Sequence, residues 1–209
     1  MRPWMFLLVG ITLLIPANGG GELPDFAPPL ASPPFDDVDD AARQAEVTRQ
    51  ALAFLDTLQR HWGKGPEQLR SIVAGPVERE EDDTLIYLRN AFEHGVLEGY
   101  EFRKGSLTRG RYLLLQGPLN GLNEFIGYYT AMKQALSAAY GEPEVDRVVW
   151  NNDLYAPLPD YWGVAVMIGH LHYQATWETA EGRLTLDLSG NRYSRLSVDY
   201  HMRAEQAQT

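Results

Sequence analysis

Two histidines, His170 and His172, stand one residue apart in a stretch where polar and apolar residues alternate. On a β-strand, residues two apart point to the same side, so both imidazoles could bind one ion. Further candidate ligands on the same predicted face of neighbouring strands are Asp187, Asp199 and His201. A His and Asp set of this kind suits zinc or another borderline cation with an open position for water.

These candidate ligands allow two interpretations. In the first, the chain is a metal-assisted hydrolase that uses His170, His172 and a carboxylate of the C-terminal strands, with the metal lowering the pKa of a bound water. In the second, the same residues form the solvated face of a sheet, which must be polar whether or not it binds an ion. We prefer the second interpretation and predict no metal site and no other cofactor.

The remaining acid–base candidates are Glu93, His94 and Glu98. Adjacent residues of a strand point to opposite faces, so Glu93 and His94 do not form a pair on one face. The sequence contains no G-x-S-x-G, S-x-x-K or H-E-x-x-H motif, and no Gly-rich turn between a strand and a helix. These observations favour a protein that is not an enzyme.

Several aromatic residues lie in the segment 151–162, which has neither a helix nor a strand pattern. Tyr155, Tyr161 and Trp162 are its three candidate binding residues, because large, rigid, amphipathic rings on a loop can anchor a ligand or a partner. The same rings could equally turn inward and cover the core, and this is the interpretation that we favour for them. They are nevertheless the best binding-site prediction that the sequence offers.

Alternating apolar and polar residues predict a three-stranded antiparallel meander at the C-terminal end, over 171–177, 184–188 and 196–202. Glu181-Gly182 and Gly190-Asn191 mark the two predicted turns. Shorter runs predict earlier strands at 84–88, 96–102, 111–116 and 147–150. The acidic run 78–83 is predicted to be a solvated turn.

Two amphipathic helices are predicted, at 37–62 and 122–140, with a short one after Pro66. The apolar face of the first is predicted from Val38, Ala42, Ala45, Leu52, Leu55 and Trp62; that of the second from Leu122, Phe125, Ile126, Tyr129, Met132, Leu136 and Tyr140. Asn120 is the expected N-cap of the second helix. The predicted fold class is therefore α+β: an antiparallel β-sheet, made of the C-terminal meander and the earlier strands, covered on one face by two amphipathic helices.

The ends of the chain have a different composition from its middle. Residues 1–19 have the charged start, apolar run and small-residue end of a signal peptide, and residues 20–36 form a Pro/Gly-rich linker. A single globular domain is expected over 37–203, followed by a flexible polar tail at 204–209. The mature chain is accordingly expected to be periplasmic or secreted, without stable membrane insertion.

Charge and cysteine content narrow the function classes further. The 18 basic and 28 acidic side chains give a net charge of -10, which argues against a nucleic-acid partner. The absence of cysteine excludes disulfides and thiol chemistry, so an exported domain must be stable through its core alone. We predict an exported, soluble, non-enzymatic module that binds a protein, peptide or envelope component.

Overall fold

The computed structural model describes residues 38–81, 83–91, 94–116 and 121–203. The predicted leader, linker and tail lie outside these ranges. Eight strands form one antiparallel sheet in the order β1-β2-β3-β4-β8-β7-β6-β5. Their bounds are β1 Arg79–Glu81, β2 Thr84–Ala91, β3 His94–Arg103, β4 Ser106–Leu115, β5 Val145–Trp150, β6 Leu171–Glu178, β7 Gly182–Gly190 and β8 Ser194–Met202.

The order of the strands is symmetrical about the pair β4–β8. In each half, one long helix is followed by a short edge strand and then by three long strands, of which the last lies at the centre of the sheet. The long helices are α1 Val38–His61 and α3 Glu124–Tyr140. The fold is thus built from two topologically equivalent halves, a relation that the sequence does not reveal as a repeat.

One face of the sheet is buried and the other is not. A single row of side chains crosses six strands on the buried face: Leu85, Tyr100, Gly110, Tyr200, Leu184 and Trp177. Gly110 lies in this row because α1 crosses above it, and a Cβ there would lie 2.2 Å from Leu58 Cδ1. The next row, which contains Arg111, Asp199 and Thr185, faces the opposite side and is partly or fully exposed.

The helices pack on the buried face. Helix α1 contacts β2 and β4, α3 contacts β7 and β8, and the two helices contact each other, with Gln59 donating a hydrogen bond to the Tyr140 hydroxyl. A further short helix, α4 Trp162–Met167, contacts β6, β7 and β8, while α2 Pro66–Arg70 places Leu69 in the core. The predicted α+β class with an antiparallel sheet is confirmed, and α4 adds to the two long helices that we expected.

The predicted inner face of α1 is partly wrong. Ala42 and Ala45 are exposed and Leu52 is half-buried. The buried residues of α1 are Val47, Thr48, Ala51, Phe54, Leu55 and Leu58, of which Leu55 was predicted. Both sets recur at helical spacing, so periodicity alone does not choose between them. Packing against the sheet decides, as where Leu58 lies over Gly110 of β4.

Three local predictions also need correction. Residues Arg79–Glu81 of the acidic run form strand β1 and are not a turn, although all three side chains are exposed. Helix α3 begins at Glu124 with Asn123 at its N-cap position, and Leu122 is exposed. The expected cap Asn120 lies outside the described residues. Among the helices of the described ranges, none combines the length and apolar character needed to cross a bilayer.

Candidate functional site

The three predicted binding residues lie in one segment, 151–168, at an end of the sheet. Tyr161 is 47% exposed, whereas Tyr155 and Trp162 are half-buried and pack against the core. The Trp162 ring meets Trp150 edge to face at 5.9 Å, and its Nε1–H donates to the Ala156 carbonyl at 3.2 Å. Trp162 therefore holds the segment in place, and Tyr161 is the ring that solvent reaches.

Asn123 fastens the same segment to the start of α3. Its Nδ2 donates to the Pro159 carbonyl at 2.9 Å, and its Oδ1 accepts from the Gly163 N–H at 2.7 Å. Gly163 makes this approach possible, because a Cβ at that position would overlap the Leu122 carbonyl oxygen. Asn123 is nine-tenths buried, and both of its side-chain polar atoms are satisfied by the backbone of the segment.

Replacing Asn123 by Ala is expected to loosen this segment. The change removes two hydrogen bonds and leaves the buried Gly163 N–H without its acceptor, which costs about 1–3 kcal/mol of unfolding free energy. Chemical denaturation measures the loss, and amide hydrogen exchange should speed up in 159–168 more than in β2 or β3. Uniform exchange rates in the variant and the wild type would contradict the role given to Asn123.

Large apolar side chains stand exposed on this fastened segment and beside it. Leu154 is 63% exposed, Leu158 47% and Ile168 41%. Leu122, 48% exposed, is adjacent, because its carbonyl abuts Gly163. We call Leu122, Leu154, Leu158, Tyr161 and Ile168 the apolar surface. Single exposed apolar residues are ordinary on proteins, but several on one short, internally fixed segment are typical of an interaction site.

The structure brings two of the candidate metal ligands, His172 and Asp187, together and places the others with different partners. His172 Nε2 lies 2.6 Å from Asp187 Oδ2, so this pair is formed across neighbouring strands. Asp199 accepts from Arg109 at 2.8 Å and from Arg111 at 2.7 Å. Two guanidinium groups therefore already neutralise the carboxylate that the hydrolase interpretation would use.

The other two candidate histidines, His170 and His201, are not part of the His172–Asp187 pair. The ring of His170 lies beside Tyr155, with a centroid separation of 6.1 Å. Burial and the neighbouring Arg109 lower the pKa of His201. No three His, Asp or Glu side chains within the described ranges are grouped so as to hold a metal ion.

A buried polar cluster, which sequence reasoning missed, joins β3 to α3. His94 Nε2 and the Tyr128 hydroxyl lie 3.3 Å and 2.7 Å from Glu124 Oε1, and Arg43 of α1 approaches the same oxygen at 4.0 Å. His94 is 1% exposed and Glu124 6% exposed. His94 and Glu124 are 30 residues apart, so no local spacing pointed to them. Little of this cluster is accessible to solvent, and its contacts fix the start of α3 on the sheet.

Of the two acid–base candidates that the structure describes, both on the buried face, Glu98 is the one that solvent still reaches. Its carboxylate is 14% exposed, lies 3.5 Å from Arg89 Nε and accepts a long hydrogen bond of 3.4 Å from the Tyr100 hydroxyl. Burial raises the pKa of Glu98 above its usual value, against the opposing effect of Arg89. Glu93, the third candidate, lies outside the described residues.

The raised pKa of Glu98 predicts that the stability of the fold depends on pH. Between the ordinary carboxyl pKa and the raised one, the folded chain binds more protons than the unfolded chain, so the contribution of Glu98 to stability falls as pH increases through that window. Gln does not titrate. The difference in unfolding free energy between Glu98→Gln and wild type should therefore favour the variant more at pH 7 than at pH 4. A difference that is constant with pH, measured by denaturant titration, would contradict the assignment.

Comparison with known proteins adds no relative. No protein-family model matches the chain, and no curated protein or solved structure is significantly similar to it. We therefore infer the function from the geometry of the apolar surface and of the polar clusters.

Proposed function

We propose that the chain is an exported, soluble, non-enzymatic module that binds a protein, peptide or envelope component through the apolar surface. Export follows from the signal-peptide pattern of residues 1–19 and suits a chain without cysteine, whose stability does not depend on the redox state of its compartment. The net charge of -10 makes nucleic acid an unsuitable partner.

The observation that carries the proposal is the combination of exposure and internal anchoring in 151–168. Leu158 and Tyr161 are each 47% exposed, while the side chains of Asn123 and Trp162 hold the backbone of the same segment from within. A surface that is already ordered loses little conformational entropy when it binds, so its apolar area contributes more fully to affinity. Tyr161 supplies a ring of the kind that dominates binding energy at interfaces.

The surface also lacks the features of a catalytic site. Tyr161 Oη is the only titratable side-chain atom among its five members, and the acid–base candidates His172 and Glu98 are paired elsewhere, with Asp187 and Arg89. The hydrolase alternative would need an open cation site, for which the described residues provide no cluster of three ligands. Binding is the function that this arrangement supports best.

Capture from envelope extract with the purified protein tests this function. The double variant Leu154→Ser/Leu158→Ser should reduce the captured amount of a specific component about tenfold or more, because truncating central apolar anchors costs about 2 kcal/mol or more. Ile72→Ser is the matched control, since Ile72 is also 47% exposed but lies outside the apolar surface. Equal loss in both variants, or none in the double variant, would contradict the proposal.

A further inference from the structure

The two edges of the sheet differ in how they are protected. Edge strand β1 has three residues, all charged, which is a common defence against unwanted strand pairing. Edge strand β5 has six residues, of which Val145, Val148, Val149 and Trp150 are apolar. It pairs with β6 on one side, and no described strand lies on the other. The edge next to the apolar surface is thus the longer and more apolar one.

The backbone of β5 presents, on its open side, hydrogen-bonding groups that no strand of the described ranges pairs with. The carbonyls of His170 and Thr176 both accept from the β5 side, from Asn151 and Glu144. Val145 lies opposite Thr176, so its backbone groups face β6. Every second residue of an antiparallel strand bonds to the same neighbour, and the backbone groups that face β6 are therefore those of Val145, Arg147 and Val149. The N–H and C=O groups of Asp146, Val148 and Trp150 therefore point to the open side.

The side chains of β5 add a specific charge pattern. On the outer face of the sheet, exposed Arg147 stands between Val145 and Val149, of which Val149 is 41% exposed. Arg147 forms no ion pair with any residue in the part of the chain that the structure describes, although the whole chain carries ten more acidic than basic groups. On the inner face, Asp146 is engaged by Lys133 of α3.

We propose that β5 is a strand-addition site, which binds an extended segment of a partner protein alongside its open edge. The partner segment carries an acidic side chain opposite Arg147 and an apolar side chain on either side of it along the same face, opposite Val145 and Val149. The inference rests on the proposed binding function and assigns the partner its chemistry. In this mode of recognition, main-chain hydrogen bonds supply affinity and the alternate side chains supply specificity.

The apolar surface and the β5 edge are continuous. Trp150 ends β5 and packs against Trp162, and Asn151 Nδ2 bonds to the Gly169 carbonyl at the far end of the segment. Leu154 and Leu158 follow within eight residues of Trp150, so the apolar surface adjoins the end of the edge strand. The two regions contribute different terms to one interface: directional hydrogen bonds from the edge and apolar contact from the surface.

A peptide titration of the purified protein tests the strand-addition site. The probe is a decapeptide with Val-Thr-Glu-Val-Val at its centre, and the comparison peptide has Lys in place of Glu. Amide NMR shifts should move at Asp146, Val148 and Trp150, and the Glu peptide should bind about tenfold more tightly than the Lys peptide. The variant Arg147→Glu should reverse this preference. Because the Arg147 side chain is exposed, this substitution should not affect folding.

A second variant removes the edge donor itself. Val148→Pro deletes an N–H that faces the open side, leaves the bonds to β6 in place, and should abolish binding of both peptides. Equal affinities of the two peptides for wild type, an unchanged preference in Arg147→Glu, or full binding by Val148→Pro would overturn the proposal. So would a dimer that sedimentation detects in wild type and not in Val148→Pro, because a second copy would then occupy the edge.

The two proposals fail in different ways. The two substituted positions of Leu154→Ser/Leu158→Ser lie outside β5. This variant should therefore keep the peptide-induced amide shifts at Asp146 and Val148 but lose envelope capture. Loss of capture in that variant together with no peptide binding at β5 would refute strand addition alone. Peptide binding at β5 together with capture that ignores the apolar surface would refute the proposed role of that surface.

Discussion

Replacing Glu124 by Ala should lower the unfolding free energy by about 3–5 kcal/mol, because it breaks a buried, charged cluster and leaves its partners without compensation. Glu124 is 6% exposed and takes contacts from His94, Tyr128 and Arg43, which belong to three different elements. Its loss detaches the start of α3 from β3 and α1. Urea denaturation followed by far-ultraviolet circular dichroism measures the effect.

A double-mutant cycle measures the interaction free energy between His94 and Glu124 separately from the cost of each single change. His94→Leu/Glu124→Leu removes both buried polar groups together, and should cost less than the sum of the two single changes, since neither partner is then left behind in an apolar site. Tyr193→Ala is the control for a change at a 69% exposed residue and should stay within about 0.5 kcal/mol of wild type. Additive costs in the cycle would show that His94 and Glu124 do not stabilise the fold as a unit.

Trp177→Ala should cost about 3–5 kcal/mol, because the indole is the largest fully buried side chain of the described core and its removal leaves a cavity. Trp177 also donates from Nε1 to the Gly141 carbonyl at 2.9 Å, where α3 ends. Thermal and urea unfolding measure the loss.

The more conservative change Trp177→Phe keeps much of the volume and removes the hydrogen bond. It should therefore recover more than half of the stability lost in Trp177→Ala. Equal losses in the two variants would mean that the bond to Gly141, and not the buried volume, is the main contribution of this residue.

The sheet was predictable because alternation has a direct physical cause. In β6, β7 and β8, a wet outer face and a buried inner face force apolar and polar residues to take turns along the chain, and the three predicted meander strands are confirmed. Strand β1 and helix α4 were missed for the converse reason. Arg79–Glu81 is charged at every position, and the six residues Trp162–Met167 are too few to show a helical period.

The inner face of α1 shows the limit of helical periodicity. Ala42 and Ala45 fit one stripe, and Val47, Ala51, Phe54 and Leu58 fit another that is rotated around the same helix. Spacing alone does not choose between them. The choice depends on tertiary contacts, such as the approach of Leu58 to Gly110 on β4, which unite residues far apart in the chain.

The candidate site was predictable in part. The composition of 151–162 indicated a loop with aromatic anchors, and the structure places Tyr161 in solvent and Trp162 against Trp150. Asn123 and the His94–Glu124 pair were beyond reach, because each depends on a contact across 30 or more residues. Contacts between residues that are distant in the chain produce no recognisable spacing in the sequence.

Site-specific photo-crosslinking in cells that export the protein is the most direct test of binding through the apolar surface. A benzophenone side chain placed at Leu158 should give a discrete adduct with one envelope component, and the same group placed at Ile72, which is equally exposed, should not. The adduct should disappear when Leu154 is replaced by Ser. The same adducts from both positions, or none from Leu158, would contradict the central claim.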